Sequence, residues 1–188
     1  LETVKEFTGG DYDLPAAVIV KHTNPCGAAL SSTLAEAFLK AREADPISAF
    51  GGILAVNRVL DVPTAEEITG KNTFFEVIIA PDFEPEAIPI LTERKKWGAN
   101  LRLLTVGGLA NSLLGASGLD IKKVVGGILI QERDLDIVSA ADLKVATDRC
   151  PSEQEISELL FAWRIVKHVK SNAIVFTKDR AVVGVGAG

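Results

Sequence analysis

Ala16-Ala17-Val18-Ile19-Val20 is a short, β-branched apolar run fenced by Pro15 on one side and Pro25 on the other. A run this short, with no polar face to give to water, reads as a buried strand of a parallel or mixed sheet. Comparable runs recur at 53–56, 74–80, 101–106, 173–177 and 181–185, with helical patterns between several of them. Strands alternating with helices predict an α/β fold of layered helices on a mixed sheet.

The segment after the first strand is unusual for mere structure. Lys21-His22-Thr23-Asn24-Pro25-Cys26-Gly27 sets two titratable side chains at the strand end and then breaks at Asn-Pro. A residue before proline is held extended, so Asn24 is expected to cap a helical turn with Pro25 at its first position. Amide donors beside a lysine and a histidine suit an anionic or polar substrate. The plainer reading of Lys21 and His22 is a solvated strand end.

At 188 residues, 47% of them hydrophobic, the chain can form one domain or two small ones with a sizeable core. Its 20 basic and 25 acidic residues leave a net charge of -5, which argues against a general nucleic-acid binder. No apolar run approaches the roughly 18 residues needed to cross a bilayer, and no charged-then-apolar leader opens the chain. Neither nucleic acid nor membrane is an expected partner. Cys26 and Cys150 are too few and too far apart for a disulfide framework, so a reduced cytoplasmic compartment is expected. The chain lacks methionine and stops at Gly184-Val185-Gly186-Ala187-Gly188, just after an apolar run. Both ends look cut, and a piece of a longer protein is expected.

Residues 1–14 read as an opening strand and a turn at Gly9-Gly10. Residues 31–44 read as a helix capped by Ser32 or Thr33, with Glu36 closing a capping box. Asp45-Pro46 stops it, and a glycine turn over 48–52 leads into the next strand. Thr64 and Glu67 frame a second capping box. Glu76 sits inside an apolar strand, where a carboxylate is costly unless paired or solvated; simple alternation toward water accounts for it as well as a ligand does. Residues 84–96 form a helix interrupted by Pro89, and 107–118 a glycine-rich connection without assigned chemistry. Residues 121–131 resume as a strand broken by Gly126-Gly127. The polar linker at 132–151 sets a boundary, giving a first subdomain over 1–134 and the start of a second over 135–188. Ser152 and Glu155 box the clearest helix, whose stripe of Ile156, Leu159, Leu160, Trp163 and Val166 reads as core. Ile-Val-Lys-His occurs at both 19–22 and 165–168 with nothing repeated around it, and His168 receives no role.

The heptapeptide at 21–27 resembles the signature of AICAR transformylase, the formyl-transferring half of a bifunctional purine-synthesis family that also carries IMP cyclohydrolase. Further stretches resemble the same family in the same order. They are Asp45-Pro46-Ile47-Ser48-Ala49-Phe50-Gly51-Gly52, Asp61-Val62-Pro63-Thr64-Ala65, Glu76-Val77-Ile78-Ile79-Ala80-Pro81, Asn100-Leu101-Arg102-Leu103-Leu104, Gly126-Gly127-Ile128-Leu129-Ile130-Gln131-Glu132-Arg133-Asp134 and Lys170-Ser171-Asn172-Ala173. The resemblance implies cytidine deaminase-like α/β/α subdomains that transfer a formyl group from 10-formyltetrahydrofolate to the amine of aminoimidazole carboxamide ribonucleotide (AICAR). It makes Lys21 and His22 the catalytic pair, and Asn24, Gly51, Glu76 and Asn172 substrate contacts. The family also uses aspartate at the position of Glu76. A homodimer with sites near the subunit interface, a structural potassium ion near the second half and no zinc are implied too.

The acceptor amine is a poor nucleophile, so a base must take its proton as the new bond forms, a gain of roughly 10²–10⁴. His22 fits that role, the neighbouring ammonium disfavouring a second positive charge on it, while Lys21 stabilises the oxyanion. Consecutive strand residues face opposite ways, so both serve one site only if the strand ends at Lys21. By the same resemblance a substrate-binding arginine follows the last glycine run and a further nucleotide contact precedes Leu1. The chain alone is therefore expected to fold at least partly without transferring formyl groups.

Three other readings bear on these residues. A zinc deaminase needs closely spaced Cys/His ligands, which Cys26 and Cys150 do not supply. Gly184, Gly186 and Gly188 after a strand are a weak dinucleotide signal. A non-catalytic nucleotide-binding or assembly module is the third.

Overall fold

Strand β1 (Ala16–Lys21) turns straight back on itself as β2 (Asn24–Leu30). The register pairs Lys21 with Asn24, so only His22 and Thr23 form the loop. The computed structural model describes residues 1–9, 12–109 and 118–188. Around the hairpin it places β3 (Gly52–Val56), β4 (Phe75–Ala80), β5 (Arg102–Thr105), β8 (Ile174–Lys178) and β9 (Ala181–Gly186) in a seven-stranded sheet. The order is β5-β4-β3-β1-β2-β9-β8. β3, β4 and β5 run parallel to one another, whereas β1, β2, β9 and β8 alternate, so the sheet is mixed as expected.

Alternation along β1 builds both layers of the core. Ala17 and Ile19 face a layer holding α2 (Leu34–Glu43), α4 (Val62–Ile68) and α5 (Ala87–Glu93), through Phe38, Ile68 and Leu91. Ala16 and Val18 face the opposite layer, where α1 (Glu2–Lys5) and α6 (Glu153–Val166) bring Val4, Phe161 and Ile165. Helices on both faces explain why this strand is apolar from Ala16 to Val20. Buried Asn57 ties the opening segment of the chain to the sheet: its Oδ1 accepts from the Ala16 amide at 2.7 Å, and its Nδ2 donates to the Phe7 and Leu14 carbonyls at 2.7 and 2.8 Å.

Several local expectations are corrected. The opening segment is helical at Glu2–Lys5, not a strand. Asn24 and Pro25 begin a strand instead of capping a helix, because the hairpin ladder takes up the extended backbone that Pro25 imposes. A short helix, α3 (Pro46–Ala49), follows Asp45, whose side chain caps it. Thr33 caps α2, but Glu36 turns its carboxylate to the Ser31 and Ser32 hydroxyls, so no reciprocal box forms. Asp61, not Thr64, caps α4 and leaves Pro63 in the first turn. Pro89 lies in the first turn of α5, where its missing N–H has no partner to lose.

The segment expected as one broken strand is a hairpin of β6 (Leu119–Val124) and β7 (Gly127–Glu132), outside the main sheet. Of the glycine-rich stretch 107–118, residues 110–117 lie outside the described residues. The Ser152–Glu155 capping box forms as expected. The buried face of α6 differs: Leu160, Phe161, Arg164 and Ile165 point inward, while Leu159 and Trp163 are each 57% exposed.

Candidate functional site

β1 ends at Lys21, the condition for Lys21 and His22 to serve one site. His22 and Thr23 then carry positive φ, 49° and 67°. A two-residue hairpin loop with both φ positive is a type I′ turn, normally made by Asn-Gly. A β-branched threonine is costly there, on the order of 1–3 kcal/mol. What holds the turn is the ladder on either side and a bond outward from Asn24, whose Oδ1 accepts the Lys170 amide at 2.9 Å. The turn presents an exposed His22, with no hydrogen bond to its imidazole among the described residues.

Lys21 is held by the next strand. Its Nζ donates to the carbonyls of Phe50 at 3.0 Å and Gly51 at 2.8 Å. An ammonium has three N–H donors, so one remains for a ligand. Gly51 itself has φ +71°, and an added Cβ would lie 2.9 Å from Lys21 Nζ and 3.3 Å from the Phe74 ring. Glycine is required here on both counts, backbone conformation and space. The Gly51 amide donates to the Phe74 carbonyl at 2.8 Å, which ties this turn to the start of β4 and so to Glu76. Glu76 is exposed and lines a cavity of about 260 Å³ with Phe74, Trp97, Asn100 and Arg102.

On the other side of the hairpin, β2 and β9 pair only at Ala29 and Ala181. Toward His22 they part and leave a groove of about 410 Å³, lined by Lys21, His22, Asn24, Cys26, Asp45 and Ser48 and closed by Gly184, Val185 and Ala187. Burial, then the Asp45 charge, pushes the Cys26 thiol up to about 11. It is no nucleophile near neutrality. Asp45 is held below its ordinary range by hydrogen bonds from the Ser48 hydroxyl and amide.

Asn172 is exposed in the segment before β8, two residues from the amide that Asn24 accepts. That segment is anchored from behind by Glu6. One Glu6 oxygen accepts from Lys167 Nζ at 3.1 Å and from His168 Nε2 at 3.0 Å, and the Glu6 carbonyl accepts from Arg164. Burial alone would raise the Glu6 carboxyl, but hydrogen bonds from His168 and Lys167 outweigh it and leave the group below its ordinary value. His168, given no role from sequence, is thus a support.

Topology gathers these residues. The end of β1, the starts of β2, β3, β4 and β8 and the end of β9 all lie at one end of the sheet. Lys21, His22, Asn24, Gly51, Glu76 and Asn172 therefore share that end, although Glu76 lines a different cavity from Lys21 and His22. Sequence reasoning passed over Phe50, Phe74 and Trp97, whose rings pack in series, tilted or edge to face, with centroids 5.3 and 6.0 Å apart. It also passed over Gly27, where an added Cβ would come within 1.9 Å of the Ala41 carbonyl on α2. Among the described residues no three His, Cys, Asp or Glu side chains converge where a metal ion could sit.

The whole chain, residues 1–188, matches the model of the AICARFT/IMPCHase bienzyme family. Its relatives include the "Bifunctional purine biosynthesis protein PurH" of Cereibacter sphaeroides, 54% identical over 187 residues. The proteins of that name from Brucella ovis and Magnetococcus marinus are 54% and 50% identical. In each case all of this chain is covered, but only 33–34% of the relative. The chain thus spans about a third of the length of the curated relatives it matches. With a family match from end to end and identities of half or more, the chain belongs to the AICARFT/IMPCHase bienzyme family.

Proposed function

We propose that the sheet end bearing Lys21 and His22 is one wall of a formyltransferase site, with AICAR as acceptor and 10-formyltetrahydrofolate as donor. The observation that supports this most is the gathering of Lys21, His22, Asn24, Gly51, Glu76 and Asn172, from distant stretches of chain, at one end of one sheet. In this proposal the acceptor amine attacks the formyl carbon while the His22 imidazole takes its proton. The free N–H of Lys21 donates to the formyl oxygen as negative charge grows there. Collapse of that intermediate breaks the bond to the folate nitrogen, which leaves with the proton that His22 took, so the imidazole returns to its neutral form. Glu76 accepts from the ribose hydroxyls. Gly51 lets the nucleotide approach the backbone, and Asn172 and the amide NH₂ of Asn24 complete the contacts.

The homodimer, the structural potassium ion, a zinc-free centre and a cytoplasmic location belong to the same proposal. So does the boundary near residue 134, as a division of the chain and not of the sheet, since β8 and β9 pair into the sheet built by residues 16–105. Elemental analysis of purified protein tests the two metal statements.

Hydrogen exchange with and without AICAR tests the site. Amides at 21–24, 51–52, 75–77 and 170–172 should slow on adding nucleotide to the longer protein that carries this chain. Protection confined to other segments would refute the placement.

A further inference from the structure

A lysine stem is long and flexible, and its ammonium goes where its acceptors hold it. Among the described residues Lys21 Nζ has two acceptors, the Phe50 and Gly51 carbonyls at 3.0 and 2.8 Å, and no carboxylate pairs with it. Whatever fixes those two carbonyls therefore aims the N–H that remains. From the preceding side, α3 delivers Phe50 with its amide on the Ile47 carbonyl at 3.3 Å. From the other side the hold is Phe74. Its carbonyl accepts the Gly51 amide at 2.8 Å, and its ring lies so close to Gly51 that an added Cβ would meet Cε1 at 3.3 Å.

The Phe74 ring is itself held between two others. Its plane is tilted by 59° to the Phe50 ring and by 64° to the Trp97 ring. Such tilted and edge-to-face pairs are the ones the ring quadrupoles favour. Trp97 packs against the core cluster that holds Phe75, Ile78 and Leu91, whereas Phe50 is 55% exposed. The row of rings thus starts from a fixed seat and ends at the turn that holds Lys21. The ladder adds a second feature at the same place. Gly52 pairs with Phe75 and Ile53 with Val77, so Glu76 is the extra residue of β4. A bulge of this kind re-aims a side chain. Phe74 stands between the lysine turn and the bulge that carries Glu76, with no polar side-chain atom to offer a substrate.

We infer that Phe74, braced by Trp97, is a positioning residue for Lys21: it holds the Phe50–Gly51 turn whose carbonyls aim the ammonium at the formyl oxygen. This assignment rests on the catalytic role given to Lys21 above, and adds to it a residue outside the groove that Lys21 lines. Formyl transfer by the longer protein carrying this chain tests it, at saturating AICAR and 10-formyltetrahydrofolate, with circular-dichroism melts to verify that each variant is folded. Phe74→Leu keeps an apolar side chain but removes the ring, and should lower the turnover number by at least about tenfold. Trp97→Leu should lower it in the same direction by at least about threefold. Lys21→Met should cost at least about a hundredfold. Adding Phe74→Leu to Lys21→Met should then change the rate by less than about twofold, because the group that the ring aims is already gone. Single-turnover kinetics reach the slow double variant. Where Phe74→Leu does not fold, Trp97→Leu takes its place in the same comparison. Turnover near the wild-type rate in the ring variants overturns the assignment and leaves the role of Lys21 standing. An equal loss with and without Lys21 overturns it too, since the ring would then act on the fold or on the substrate directly. A Lys21→Met enzyme near the wild-type rate overturns the role of Lys21 and the assignment with it.

Discussion

Glu6→Gln isolates the support behind the candidate site. The Glu6 side chain is 8% exposed, and one of its oxygens takes hydrogen bonds from two basic side chains, Lys167 and His168. Charge-assisted hydrogen bonds contribute about 1.5–3 kcal/mol each, and removing one member of a buried ion pair costs about 3–5 kcal/mol. Lys167 keeps the Asp136 carbonyl at 3.0 Å and the Asp134 carboxylate at 3.6 Å, so it is not orphaned. The lower end, about 3 kcal/mol, is the expected loss. At about 2–4 °C per kcal/mol for a chain of this size, the melting temperature should fall by about 6–12 °C at pH 7. The carboxyl is depressed in the folded state, so its contribution is complete above the ordinary glutamate value of 4.5 and is lost as pH falls through the lower folded value. Thermal melts followed by circular dichroism should therefore show the gap between wild type and variant shrinking below that value. A gap under about 1 kcal/mol at pH 7, or one that stays constant to the lowest pH at which both fold, would refute the reasoning.

Gly51→Ala forces a side chain into a left-handed backbone and against Lys21 Nζ. It should lower the melting temperature by about 2–8 °C, from a cost of about 1–2 kcal/mol, and an unchanged melt would count against the turn as described. Gly27→Ala places its Cβ against the Ala41 carbonyl and should prevent accumulation of folded protein, checked by soluble yield and circular dichroism. With its thiol pushed to about 11, Cys26 should react with a disulfide reagent at pH 8 well after the exposed Cys150. Mass spectrometry of the first-labelled peptide settles the order, and Cys26→Ser should leave any transferase activity largely intact.

Several strands and two of the helix caps were legible because their signals are local. The apolar run at 16–20, Thr33 before α2 and the Ser152–Glu155 box each specify their own element. The end of β1 at Lys21 was legible for the same reason. The hairpin at His22-Thr23 was not, because its turn lacks the Asn-Gly or Asp-Gly pair that marks a type I′ loop. Its conformation is imposed by the partner strands and by Lys170, 146 residues on from Asn24. The inward face of α6 was misjudged since Leu159 and Trp163 sit at helical spacing as regular as that of Phe161 and Ile165; only packing on β1 and β9 chooses between the stripes. Gly27 was passed over because its need is a close approach by α2, which leaves no mark in nearby sequence.

The catalytic assignment of His22 is tested most directly by steady-state formyl transfer in the longer protein carrying this chain, comparing wild type with His22→Ala. His22 is exposed on a turn and its imidazole makes no hydrogen bond among the described residues, so its loss should leave the melting temperature nearly unchanged and weaken AICAR binding much less than turnover. The turnover number should fall by at least about a hundredfold. A variant that turns over at nearly the wild-type rate would contradict the account.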